Sequence, residues 1–344
     1  MEKLYNSKTI FNIMVETLNS VGIKEEDSEI IASCYIEADL AGVNTHGVNV
    51  FPAHIEKFLK GTYNKHPEIK VIREGTSFQV LDGDESIGPV SASKAMNIAV
   101  EKAKETGIYV CFLKNTNTIG PAFFYNNIAL KNKMIGITMS NSPAAMAPTN
   151  GKDKLIGTNP LAISIPANKE APIIYDIATS AVAKSKIKQA MIEGKEIPLG
   201  WATDKYGIPT TDPKEAIEGL VLPMAGYKGY GLAMNIDILT GVISGANFLN
   251  YVGKFYGNDK CMNIGATFIA INPKLVLGDA FYLRIDEYIK TIKSSKKIND
   301  EITIPGERRL KNRKKALDEG IPLNDSTVKS LQNYIKEYNL NYDL

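Results

Sequence analysis

Between residues 76 and 278, short apolar runs alternate with stretches of helical spacing, and that alternation limits most severely what this chain can fold into. Residues 78–81, 108–113, 134–139, 161–165, 173–176 and 266–272 read as strands. Over 90–106 the spacing predicts a helix with Ala92, Ala95, Ile98, Ala99 and Ala103 facing inward. Residues 182–193, closed by Gly194, and the apolar stretch 231–244 read as further helices. The stretch 197–214 is rich in Pro, Gly, Asp and Thr and reads as a long ordered loop. Both ends of the chain are helical in pattern: Ser7 is placed to cap a first helix, 24–41 forms a second, and Gly61 closes a third. The expected fold is α/β, with a sheet domain (76–278) inserted into a helical domain built from both termini, 1–75 plus 279–344.

At 344 residues, 44% hydrophobic and 23% charged, the composition is that of a soluble globular protein with a large core. A net charge of +2 gives no general electrostatic case for nucleic acid, and the basic stretches 290–297 and 308–315 read as solvated helix faces. Cys34, Cys111 and Cys261 are too scattered for a metal site and read as buried thiols in a reducing compartment. No apolar run has membrane-spanning length, and the first 17 residues lack a signal-peptide core, so a cytoplasmic location is expected.

Only three histidines are present, and one, His46, lies in the polar turn Asp39-Leu-Ala-Gly-Val-Asn-Thr-His-Gly-Val48 between two helical segments. Imidazole is the side chain whose charge changes near neutral pH, so a proton-transfer role and a plain surface turn are both open at this point. No Gly-x-Gly-x-x-Gly and no Walker-type loop follows a strand. Four other loops, 115–120, 140–143, 157–160 and 176–180, bring small hydroxyl and amide groups to strand ends, where α/β sheets bind polar ligands. Ordinary turn chemistry would use the same residues. Gly226-Tyr-Lys-Gly-Tyr-Gly231 opens an apolar helix, so its amides and Lys228 could meet an anion. Lys228 is also the one position that suggests Schiff-base chemistry. The turn Ile304-Pro-Gly-Glu307 carries a carboxylate able to accept ribose hydroxyls.

Together, Asp39…Gly42-Val-Asn-Thr-His-Gly-Val48, Gly157-Thr-Asn-Pro160, Asp176-Ile-Ala-Thr-Ser180, Gly226-Tyr-Lys-Gly-Tyr-Gly231 and Pro305-Gly-Glu307 resemble the malate/L-lactate dehydrogenase family. That family is unrelated to the common lactate dehydrogenases. It includes ureidoglycolate and sulfolactate dehydrogenases, diketogulonate reductase and cyclic-ketimine reductases. The resemblance runs in order from about residue 5 to residue 330. It implies a homodimeric oxidoreductase using NAD or NADP on a non-Rossmann domain, acting on a small carbonyl, 2-hydroxy acid or cyclic imine. It implies His46 as general acid/base, with Thr118 at the second catalytic position. Ser142, Asp176, Ile177, Ala178, Tyr227, Lys228, Pro305, Gly306 and Glu307 match the cofactor contacts, and no metal is implied.

Two departures from the family pattern fall on the substrate side. The family continues the histidine turn as His-Gly-Val-x-Arg, and here Val50 stands at the arginine position. The family has Asn-His in the loop where this chain has Asn117-Thr118. An apolar side chain cannot replace a guanidinium fork, and threonine cannot titrate near neutrality. His54, or a lysine such as Lys57, is the candidate replacement cation, His54 being the nearer on helix geometry; packing inside the helix is its other reading. Altered or lost catalysis with cofactor binding retained is the alternative function.

Overall fold

The computed structural model describes residues 3–257, 260–298 and 301–344. Seven strands make the central sheet: β1 (Lys70–Gly75), β2 (Phe78–Ser86), β3 (Ile108–Thr116), β4 (Ile135–Ser140), β5 (Leu161–Ile165), β6 (Ile173–Ile177) and β7 (Ile264–Ile271). Their spatial order is β1-β2-β3-β7-β4-β5-β6. Only β2 and β3 pair in parallel; every other neighbouring pair is antiparallel. A doubly wound nucleotide fold needs successive parallel strands, so the missing glycine fingerprint and this topology agree.

β7 reads Ile-Gly-Ala-Thr-Phe-Ile-Ala-Ile and is nearly all buried, because it is the central strand and has protein on both faces. β5 alternates buried and half-buried residues, as a strand with one covered face should.

Helices α1 (Ser7–Ser20), α2 (Glu25–Leu40) and α3 (Phe51–Leu59) precede the sheet. The helix predicted over 90–106 forms as α4 (Gly88–Thr106), the crossover between the parallel strands, and α5 (Ala122–Lys131) follows β3. The inner faces of α4 and α5 pack with Leu81, Cys111, Leu113 and Phe268 in one core. α6 (Lys184–Glu193), α7 (Pro213–Glu218) and α8 (Tyr227–Asp237) come next, then α9 (Pro273–Leu277), α10 (Ala280–Lys293), α11 (Glu307–Glu319) and α12 (Asp325–Glu337).

A second core joins both chain ends: Ile10, Met14, Leu18, Tyr35, Phe51 and Phe58 pack with Ile321, Leu323, Val328 and Leu331. α10 instead ties to the sheet side. Tyr282 donates to the Lys133 carbonyl at 2.9 Å, and the Asp286 carboxylate accepts from the amides of Asn168, Lys169 and Glu170. Between the cores, Ala41, Phe123 and Ile174 form a small apolar seam with Val43 and Leu310. Arg313 of α11 clamps Glu37 of α2 at 2.9 and 2.8 Å across it.

Several sequence expectations need correction. Asn6, not Ser7, caps α1, accepting from the Thr9 amide at 3.0 Å. β1 carries no clean alternation and was not expected; it is an exposed edge strand held by β2. The apolar helix starts at Tyr227 rather than 231, because its opening glycines and tyrosines are helical, and passes into a π turn over Ile238–Val242. Within 197–214 a short hairpin pairs Ala202–Thr203 with Pro209–Thr210. Cys34 and Cys111 are buried, but Cys261 is only half-buried.

Candidate active site

His46 sits in a 3-10 turn (Asn44–His46) that leaves the C-terminus of α2. A buried carboxyl holds that turn. Asp39, 2% exposed, accepts the Val48 amide at 2.7 Å through Oδ2, and its Oδ1 has no partner among the described residues. A Cβ on Gly47 would lie 2.0–2.4 Å from the Asp39 carboxylate, so only glycine lets the chain pass so close. Burial pushes Asp39 up to about 7, the Val48 bond opposing it.

The His46 ring surface is open to water, yet protein mass around it holds its pKa below the usual imidazole value. The residue is reachable by water although protein atoms crowd its neighbourhood. Burial dominates; Asp176 opposes it and Arg309 adds to it, so both charges act on the ring. Nδ1 is within 3.0 Å of the Thr45 hydroxyl, which leaves Nε2 for a ligand.

Asp176 ends β6 with Ile177. Its Oδ2 accepts the Phe123 amide at 3.2 Å and Arg309 Nη1 at 3.0 Å, and its carbonyl accepts Arg309 Nη2 at 2.9 Å. The guanidinium lies 4.7 Å from the centroid of the Phe123 ring. The stretch 308–315 is therefore not simply a solvated face: Arg309 and Arg313, one turn apart, both point inward to carboxylates. Their (i, i+4) spacing around Leu310 was the available sequence signal.

The loops singled out in sequence are tied to β6, to Thr179 just beyond it, and to one another by main-chain and Asn159 side-chain bonds. Ile174 donates to the Pro305 carbonyl at 2.8 Å, docking the Pro305-Gly306-Glu307 turn on the strand. Gly306 has φ +104°, and a Cβ there would approach Ile174 to 2.8 Å, so this turn also requires glycine. Glu307 closes the turn itself: Oε2 accepts the Ile304 amide at 3.0 Å and Oε1 pairs with Lys293. After Ala178, Thr179 donates to Thr158 at 3.0 Å and accepts from Met224 at 3.0 Å, which brings in the segment leading to α8. The Ser142 amide donates to Asn159 Oδ1 at 3.0 Å, and Asn159 Nδ2 donates to the Ala233 carbonyl of α8 at 2.9 Å. Tyr227 and Lys228 stand exposed on the first turn of α8, where amides lack intrahelical acceptors.

Thr118 is half-buried, with its carbonyl against Gly88 at the start of α4. Two residues on, Gly120 lies against Cys34 and Tyr35 of α2. The seven steps from Cys34 to Ala41 carry the chain roughly 10 Å from that loop toward the His46 turn. Val50 packs on the helical core beneath α3.

His54 is no replacement cation. It is 1% exposed, stacked on Tyr35, and its two ring nitrogens meet Tyr35 Oη at 2.8 Å and Tyr63 Oη at 3.1 Å. Burial lowers it to about 3, with Lys57 adding to the effect, so it is neutral at physiological pH. Lys57 itself is 7% exposed, beside the rings of Tyr63 and Phe255.

The malate/L-lactate dehydrogenase family model matches residues 5–332. The chain is 39% identical over 330 residues to malate/(S)-sulfolactate dehydrogenase of Methanothermus fervidus, covering 96% of each. It is 30% identical over 330 residues to ureidoglycolate dehydrogenase (NAD(+)) of Escherichia coli, covering 94% of this chain and 93% of that one. The solved structure of sulfolactate dehydrogenase from Methanocaldococcus jannaschii superposes with a TM-score of 0.94 at 38% identity, covering 98% of both chains. With fold, motif order and length all in agreement, this chain belongs to the malate/L-lactate dehydrogenase family of oxidoreductases.

Proposed function

We propose that this dehydrogenase interconverts a small 2-hydroxy acid and its 2-oxo counterpart, or reduces a cyclic imine, using NAD or NADP with His46 as the proton carrier. The observation that carries it is the exposed His46 turn within electrostatic reach of Asp176, whose strand and the residues just after it hold the other motif loops through Ile174 and Thr179. Among the relatives above, malate and sulfolactate dehydrogenases are named for acidic 2-hydroxy acids, and the ureidoglycolate enzyme for NAD(+).

The residues suit a dinucleotide. The first two amides of α8, at Tyr227 and Lys228, and the exposed Lys228 side chain offer a pyrophosphate cradle, the Gly229 amide being taken by the Met224 carbonyl. Among the described residues Thr179 Oγ1, beside Ala178, is buried without a partner, so this strand end has hydrogen-bonding capacity unspent. Ser142, Asp176-Ile177-Ala178, Tyr227-Lys228 and Pro305-Gly306-Glu307 would line the cofactor, Glu307 sharing a carboxylate already engaged by Lys293. Bound nicotinamide supplies or accepts the hydride. In the oxidation direction, neutral His46 takes the hydroxyl proton at Nε2 as the carbon–hydrogen bond breaks. In reduction, protonated His46 returns it to the developing alkoxide or amine, for about 10²–10⁴-fold in rate. Its lowered pKa favours the base form at neutral pH. Thr118, in place of a second histidine, can only hydrogen-bond the substrate.

The two packed cores would form the two domains, 76–278 and 1–75 plus 279–344, meeting at the seam of Ala41, Phe123 and Ile174, with α10 of the second lying on the sheet side. Met234, Ile238, Leu239, Val242 and Ile243 form an exposed apolar row along α8 and its π turn, which suits a homodimer contact. Lys228, exposed rather than enclosed in an apolar pocket, lacks the setting of a Schiff-base lysine. Among the described residues no helix is long and apolar enough to cross a membrane and no cluster could hold a metal. The two buried free thiols fit a reducing, cytoplasmic setting.

The test is a screen of 2-oxo acids and cyclic imines with NADH and NADPH, followed by nicotinamide absorbance. His46→Ala should abolish turnover while cofactor fluorescence still reports binding. Normal turnover in that variant removes His46 from the mechanism. Val50 and Thr118 favour a second reading, altered or lost catalysis, which tight cofactor binding without turnover of any acid or imine would support.

A further inference from the structure

We infer that Arg309 is the specificity-determining cation of this site, taking the substrate's carboxylate in place of the arginine that Val50 replaces. The inference rests on the reading above and assigns the part of that site the sequence left empty. Val50 is packed on the helical core, and His54 is sealed between two tyrosine hydroxyls. Lys57 lies buried with His54 against Phe255.

Arg309 has the opposite setting. It projects from the first turn of α11, two residues past Glu307, so the turn docked on β6 fixes its backbone. Its side chain is 21% exposed and lies across the Phe123 ring, which sets the guanidinium plane. Of five N–H donors, two are directed at Asp176, one to the carboxylate and one to the carbonyl. The remaining edge can accept a second carboxylate in fork geometry while Asp176 keeps the side chain aimed. Asp176 is itself anchored by the Phe123 amide, so the arginine is held by a partner that does not swing. Val43, three residues before His46, packs with Phe123 and with Leu310, the neighbour of Arg309, so the histidine turn and the guanidinium border one seam and anion binding and proton transfer can share a site. No bond is made or broken by Arg309; it orients the acid so that the 2-carbon lies between His46 and the nicotinamide.

A purely structural Arg309, there only to neutralise Asp176, would predict something else: loss for every substrate alike. The experiment therefore compares Arg309→Leu and Arg309→Lys with the parent, on a 2-oxo acid and on its neutral methyl ester, in the NADH-loaded protein. Oxalate binding is measured in parallel by calorimetry. The expected result is a fall in kcat/KM for the acid of a hundredfold or more in Arg309→Leu, carried mostly by KM. The ester should change less than about threefold, with partial rescue in Arg309→Lys and no oxalate binding by Arg309→Leu. NADH affinity, read by fluorescence, should stay within about twofold of the parent. Equal losses on acid and ester, or unchanged oxalate binding in Arg309→Leu, overturn the assignment. If the parent binds oxalate through Arg309 yet turns over nothing, the clamp stands and the dehydrogenase reading falls. If the parent turns over acids and Arg309→Leu does too, the reading stands and the clamp falls.

Discussion

Replacing Asp39 with asparagine should change how the stability of this protein depends on pH, and the size of the effect follows from one buried carboxyl. Asp39 is 2% exposed with one oxygen unpartnered, and ionises near pH 7 folded against 3.8 when solvated. Because the unfolded chain releases this proton first, folding stability is lost as pH rises between those values, by about 4 kcal/mol in all. The asparagine side chain in Asp39→Asn keeps a carbonyl for the Val48 amide and has nothing to ionise. The opposite slope comes from His54, which ionises near pH 3 folded and 6.5 unfolded, so its stability contribution is lost as pH falls. The two slopes offset each other in the parent from about pH 4 to 6.5, so a parent curve alone would hide both. Urea unfolding of parent and Asp39→Asn at a series of pH values isolates the carboxyl. The variant should gain on the parent by about 4 kcal/mol between about pH 4 and pH 8. A difference that stays flat over that range would refute the burial argument.

Gly47→Ala should cost about 1–3 kcal/mol, since its methyl meets the Asp39 carboxylate; thermal melts check the stability and kcat the displaced His46. His54→Leu should destabilise by about 2–5 kcal/mol at pH 7 by orphaning two tyrosine hydroxyls, and should flatten the acid limb of stability below pH 6.5 in denaturant titrations. In the oxidation direction kcat/KM should fall on the acid side with an inflection below the ordinary imidazole value, and Asp176→Asn should move it lower still by removing the charge that raises His46. Lys228→Ala should weaken NADH binding by about tenfold in a fluorescence titration while leaving thermal stability unchanged.

Much of this molecule was legible in one dimension. Six of the seven strands announced themselves as apolar runs, because a strand needs only a local pattern and a buried neighbour. β1 did not, since an exposed edge strand carries no burial signal. The histidine turn and the glycine-bearing loops were visible for the same local reason: tight turns and close backbone approaches restrict residue type at fixed offsets. The cap at Asn6 rather than Ser7 shows how far such local reasoning drifts, since either side chain could serve.

Sequence alone determined the interleaved α/β middle between helical ends, the family, and the position of His46 in the turn after the second helix. Tertiary structure decided which charges act on its ring. Arg309 reaches Asp176 across 133 positions of chain, and Arg313 reaches Glu37 across 276, distances no periodicity encodes. It also decided between the two readings open for His54, replacement cation or packed residue: it is sealed and neutral, because burial depends on what the rest of the fold lays over a helix face.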